Sequence, residues 1–168
     1  MNAMNIETNT VVSHLNIDAA PDRVWRSLVF YEGLDTAPPL YLRLLLPSPI
    51  RTEGAKSVVG DAAKCLYQGG HLLKRVTRID VDRLYEFTVE EQHLPIGGGI
   101  RLSGGCYALR DLGRNRTELA ITTGYVSRHR PRWLVQRVES AVCHLFHRHL
   151  LTAIKTKAEF TAEPVTAL

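Results

Sequence analysis

The sequence is short of most features that announce a function. Its three cysteines, Cys65, Cys106 and Cys143, are odd in number and widely spaced, with no CxxC pair. That argues against a disulfide framework and fits a reducing compartment. No apolar run approaches the roughly 18 residues of a membrane-spanning helix, and MNAMNIETNT lacks the apolar core of a secretion signal. There is no GxSxG, no HExxH and no Walker loop. PIGGGIRLSGG has Leu102 where a GxGxxG motif needs glycine, and it leads into a strand, so no helix N-terminus waits for an anion. Lysine and arginine form no sustained tract, so the net charge of +4 reads as solubility rather than nucleic-acid binding. The expectation is a cytoplasmic protein with no cofactor, no metal and no nucleic-acid partner.

What is present is an ordinary globular composition, 168 residues with 45% hydrophobic and 23% charged, enough for one domain with a real core. Thr10 to Ile17 alternates as a strand. AAPDRVWRSLVF begins a helix with Pro21 where a first turn tolerates it, and PPLYLRLLLPSP makes a second short helix between prolines. After Gly60 the period becomes that of strands: DAAKCLY, HLLKRVTRIDV, RLYEFTVEEQHL, IRLSGGCYALRDL and RTELAITTGYV. Turn residues separate them, and Gly104-Gly105 suggests a bulge. From Pro131 the period is helical to about Phe160. Residues 1–9 are expected to be a flexible start, 10–160 the domain and 161–168 a tail. The class is α+β: a curved antiparallel sheet of about six strands wrapped around a long C-terminal helix, with two short helices after the first strand.

The opening strand with IDAAPDRVWRSL, then VTRIDVDRLYEF, then CYALRDLGRNRTELAITTGYV and the closing helix resemble the START-like superfamily. This is the helix-grip fold of Bet v 1-type proteins, bacterial polyketide cyclases and lipid-transfer domains, and the resemblance spans roughly residues 10 to 158. It implies a cavity between sheet and long helix that holds a small apolar ligand. It carries no invariant catalytic signature, so no catalytic role transfers to any residue here.

AVCHLFHRHLL sets one cysteine and three histidines close together in the long helix. At 100° per residue, Leu134, Val138, Val142, Leu145, Phe146, Ala153 and Phe160 gather on one side with His149 in their midst. Cys143, His144 and His147 fall opposite, beside Arg137, Arg148 and Lys155. Those three fall short of the four ligands a structural zinc site wants. His149 is then either a core histidine with a hydrogen-bond partner or a polar group aimed into the cavity, able to bind a ligand oxygen or move a proton.

Strand parity adds partners for it. Tyr85, Phe87 and Val89 share a face, and the same parity carries Glu91 and His93 inward, either as cavity polar groups or, near the strand end, at its solvent-exposed mouth. Tyr67 and Tyr125 face in on their own strands. On the strand from Ile100 to Leu112 both parities carry apolar residues and a bulge at Gly104-Gly105 would swap them, with Tyr107 and Leu109 taken as the inward pair. The expected ligand-binding set is therefore Tyr67, Tyr85, Phe87, Tyr107, Tyr125, His93 and His149, with His149 and Glu91 as acid–base candidates; the alternative is that these residues simply pack as core. Leu40, Leu42, Leu44 and Leu45 exceed what one face of a two-turn helix buries, and suit a lid, a membrane or protein contact, or burial on several sides. The leading expectation is binding or carriage of a lipid-, polyketide- or isoprenoid-like molecule. A polyketide cyclase/aromatase-like enzyme is the first alternative, and a protein- or membrane-interaction module the second.

Overall fold

β1 (Asn9–Ile17) and β7 (Arg116–Ser127), the first and last strands in sequence, pair antiparallel from Asn9 opposite Tyr125 to Ile17 opposite Thr117. This computed structural model describes residues 8–35 and 37–160. The expected tail and residues 1–7 of the expected flexible start lie outside the described residues, while Asn9 already belongs to the sheet. Between them in the chain come β2 (Pro49–Gly54), β3 (Ala62–Tyr67), β4 (Gly70–Asp80), β5 (Leu84–His93) and β6 (Ile100–Gly113). The sheet is antiparallel with spatial order β1-β7-β6-β5-β4-β3-β2.

Seven strands replace the expected six. β2 escaped sequence reading because PIRTEG starts on a proline and has no apolar alternation. It is an edge strand, paired only with β3, where a first-residue proline removes no ladder bond that matters. The β6–β7 hairpin turns on Arg114 and Asn115, both at positive φ (53° and 59°), the backbone that a two-residue hairpin turn requires.

After β1 the chain must reach β2 on the opposite edge. It does so through α1 (Pro21–Arg26), a single 3₁₀ turn (Tyr31–Gly33) and α2 (Leu40–Leu45). Pro21 occupies the first turn of α1, where its missing N–H costs nothing. The preceding bend is pinned by Thr117, fully buried, whose hydroxyl donates to the Ala19 carbonyl at 2.7 Å.

α3 (Arg132–Phe160) lies in the curve of the sheet, packing mainly on β1 and β7. Its buried stripe is His147, Leu150, Leu151, Ile154 and Ala158, spaced as one helical face. This overturns the helix orientation expected from the apolar count. Leu134, Val138 and Leu145 are 48%, 58% and 40% exposed, and Phe160 is 81% exposed. The first half of α3 carries apolar residues toward solvent, so counting them drew the inferred face round toward His149.

His147 is instead fully buried and ties α3 to the sheet. Its Nδ1 shares a hydrogen bond with Ser13 Oγ of β1 at 2.9 Å, and its Nε2 one with Thr123 Oγ1 of β7 at 2.8 Å. Burial, reinforced by neighbouring His144, pulls its pKa down to about 4. A native histidine that resists protonation while the unfolded one accepts a proton near 6.5 makes stability rise with pH between those values. Urea unfolding midpoints should therefore fall as the pH is lowered from about 6.5 to about 4, and the slope in that window should be reduced in His147→Gln; an unchanged slope would place the pH dependence elsewhere.

Candidate functional site

The long helix does not fill the curve of the sheet, and two adjoining chambers remain. The outer, of about 130 Å³, is walled by Leu72 and Leu102 from the sheet, Leu94 and Ile96 after β5, and Val142 and Phe146 from α3; Leu46 and Pro47 after α2 flank it. The inner, of about 80 Å³, lies between Phe30, Phe87, Tyr107, Ile121 and Leu150. Tyr31, Tyr67, Leu72, Leu102, Thr123 and Phe146 border both. An apolar cavity of about 150 Å³ accommodates a benzene ring, so this space suits one or two fused rings.

A charged cluster stands beside the inner chamber. Glu32, on the 3₁₀ turn, has a fully buried side chain, and its Oε1 accepts from both the Lys74 ammonium and the Tyr67 hydroxyl. Lys74 lines the inner chamber, 5.4 Å from the centre of the Phe87 ring and 5.9 Å from that of Phe30. Lys56, from the loop before β3, also sits over Phe30, 4.3 Å from the centre of its ring.

Burial alone would raise the Glu32 carboxyl. The charge of Lys74, the hydrogen bonds from Lys74 and Tyr67, and the charge of Lys56 outweigh it, and hold it well below the usual carboxylate range. Burial and the adjacent carboxylate push the Tyr67 phenol up, so it remains a donor. Burial pulls the Lys56 ammonium down, with Glu32 opposing. Two ammonium groups thus share one carboxylate. Glu32 Oε2, although buried, accepts no hydrogen bond among the described residues.

The outer chamber has its own polar edge. Tyr31 and Tyr125 line it, and the buried Tyr31 hydroxyl has no partner. The Tyr125 hydroxyl lies near Glu139 without hydrogen-bonding geometry; burial, then the Glu139 charge, push its pKa up to about 12. Glu139 itself accepts from Ser127 Oγ at 2.5 Å and sits 3.1 Å from His129 Nδ1. Cys143 also lines this chamber, but burial raises its thiol to about 11, which keeps it protonated and a poor nucleophile.

Of the residues expected at the site, Tyr67, Phe87, Tyr107 and Tyr125 border one chamber or both. Tyr85 is buried but borders neither; its ring packs on Phe30 and its hydroxyl donates to the Lys56 carbonyl at 2.9 Å. His149 is half-buried, lines neither chamber, and has an Nε2 buried without a partner. Glu91 and His93 do not point inward. Lys74 pairs with Val89 whereas Leu73 pairs with Glu91, so Glu90 is an extra residue in β5. This bulge flips the parity that follows, and the two side chains are 55% and 67% exposed on the outer face. In α2, Leu40, Leu44 and Leu45 are exposed, whereas Leu42 is fully buried and belongs to the core.

Glu32, Lys74 and Lys56 were not foreseen. Lys74 had a signal: it alternates with Leu72 and Val76, both buried, and a lysine at an inward parity is a marked exception. Glu32 had none, since YEG is a turn whose partners lie more than 30 residues away.

This is the helix-grip fold, and several solved proteins share it. An aromatase/cyclase, ZhuI from Streptomyces sp. R1128, superposes with a TM-score of 0.66 at 17% identity, covering 96% of this chain and 100% of that one. Truncated norcoclaurine synthase from Thalictrum flavum gives 0.64 at 16% identity, covering 98% and 99%. Ara h 8.0201 gives 0.57 at 12% identity, covering 92% and 99%. No family model matches the sequence, and neither does any curated protein. Among the described residues no helix is long and apolar enough to cross a membrane.

Glu32→Gln should destabilise the protein by about 3–5 kcal/mol, because Lys74 then stays buried without its counter-charge. Glu32→Gln/Lys74→Met should recover a good part of that loss in urea denaturation. Equal stability of wild type and Glu32→Gln would mean that the pair is solvated.

Proposed function

We propose that the protein binds a small, largely aromatic molecule in the two chambers, with one anionic or strongly accepting oxygen held at the Lys74–Glu32–Tyr67 cluster. The observation that carries this is the surplus positive charge: two buried or half-buried ammonium groups beside an aromatic chamber with a single carboxylate between them. A ligand oxyanion at Lys74 would complete the balance in a low-dielectric setting, where a charge-assisted hydrogen bond is strong. The similar solved proteins support a ligand-binding interior, two of them being named as a cyclase and a synthase. The exposed Leu40, Leu44 and Leu45, leading into Leu46 and Pro47 at the outer chamber, give such a ligand an apolar approach.

Acid–base catalysis on a carbonyl compound is the second reading, and the same cluster speaks to it. Lys74 is a proton donor at the chamber wall, and Glu32 has a free oxygen. The carboxylate, however, is held far below the neutral range in which a general base is effective, and His147 is engaged through both ring nitrogens. These pKa directions favour holding charge over moving protons, and so carriage over turnover.

The test is calorimetric titration with 2-naphthoate and, as a neutral comparison, 2-methylnaphthalene. Wild type should bind both. The charge-neutral exchange Glu32→Gln/Lys74→Gln should weaken naphthoate by roughly tenfold or more, the equivalent of the about 1.5–3 kcal/mol of a charged hydrogen bond, and leave the neutral probe nearly unchanged. Absence of binding by either probe would sink the cavity reading; equal loss of both would remove the role of the charged cluster.

A further inference from the structure

The bulge that removes Glu91 and His93 from the cavity delivers them to a different place. His71 and His93 are direct cross-strand partners in β4 and β5, and their rings stand 4.8 Å apart, centre to centre. Glu91, two residues before His93, comes to the same outer face, with its Oε2 3.8 Å from His93 Nε2. One imidazole nitrogen from each histidine and one carboxylate oxygen all lie within 4.8 Å of one another. Among the described residues no other group of three histidine, cysteine or acidic side chains converges in this way.

The geometry points to a metal site, with His71, Glu91 and His93 as three ligands for one divalent ion of the zinc, nickel or copper class. Ligands at about 2.0–2.1 Å from zinc in a tetrahedron stand about 3.3 Å apart. Small rotations about side-chain torsions bring these donors to that separation, since the His93 and Glu91 side chains are 67% and 55% exposed. Two imidazoles with one carboxylate suit borderline metals and not magnesium or calcium, which require oxygen donors. Three protein ligands leave at least one position open to water.

The backbone beneath is set for the purpose. Gly70 starts β4 against the His93 carbonyl, so close that any Cβ at position 70 would collide with it. That approach holds the two histidines' strands together at their ends. Nor does a neighbouring guanidinium neutralise Glu91, since Arg75, the outward arginine of this part of β4, is bound bidentately to Glu90. The site also lies back to back with the cavity wall: Leu72 and Leu94, next to His71 and His93 in sequence, line the outer chamber. The expectation of no metal site rested on the α3 cluster and on missing HExxH and CxxC motifs, and this site is formed by other residues.

The experiment is calorimetric titration of the tag-free chain with ZnCl₂ and NiCl₂, beside His93→Asn and Glu91→Gln, with Cu²⁺ electron paramagnetic resonance on each. Wild type should take about one equivalent with micromolar affinity or better. His93→Asn should weaken binding by roughly tenfold to a hundredfold and Glu91→Gln by roughly tenfold, as loss of one donor from three implies. The copper spectrum should show coupling to two imidazole nitrogens in wild type and one in His93→Asn. Both variants alter exposed side chains, and unchanged thermal unfolding without metal will show that they fold. No stoichiometric binding by wild type, or binding that His93→Asn leaves intact, overturns the assignment.

Discussion

Seven twisted strands curve into a trough wider than the single helix laid along it, and most other features of the molecule accommodate that mismatch. The C-terminal half of α3 is drawn down onto β1 and β7 by Leu150, Leu151, Ile154 and Ala158, each almost wholly removed from water. His147 reinforces the contact by bonding Ser13 and Thr123, one on each of those strands. The opposite side of the trough, under β3 to β6, is left to the aromatic side chains of the crossing segment and the sheet. Phe30 packs edge-on against Tyr85, Phe87 and Tyr107, and Tyr31 against Phe146. Rings of this size cover the trough without filling it, and the two chambers are what remains.

A dry interior is a costly place for charge, so the Lys74–Glu32 pair and its Tyr67 donor require an explanation beyond stability. Hydrophobic residues of similar volume would hold such a core at least as well. The arrangement is intelligible if the chamber receives a partner for the surplus ammonium charge. The direction of the Glu32 shift then separates two uses of one cluster, since a carboxylate so strongly stabilised holds a proton poorly and holds a cation well. The same reasoning sets aside Cys143 and His147 of α3, the thiol raised by burial and both ring nitrogens already bonded.

The fold was legible because it is written in periodicity. Alternation over 70–80 and 116–127 and a 29-residue helical pattern each report on local backbone, and β4, β7 and α3 formed within a residue or two of their expected places. The inward placement of Tyr67, Phe87 and Tyr125 followed from parity, whereas both parities of β6 carry apolar residues and only the register placed Tyr107. Parity failed for Glu91 and His93, where one inserted residue, Glu90, reverses every face beyond it. Helical phase failed for His149, because exposed Leu134, Val138 and Leu145 were indistinguishable in sequence from buried ones.

The amino-acid sequence by itself determined the order and kind of the elements, the antiparallel sheet closed by a long helix, and most of the aromatic lining, since these depend on residues near one another in the chain. Tertiary structure alone decided which face of α3 is buried, that Glu32 would meet Lys74 and Tyr67, and that His71 would stand beside Glu91 and His93. Those outcomes depend on strand register and on the path of the crossing segment, which bring together groups 20 to more than 100 residues apart. No local pattern records a meeting of that kind.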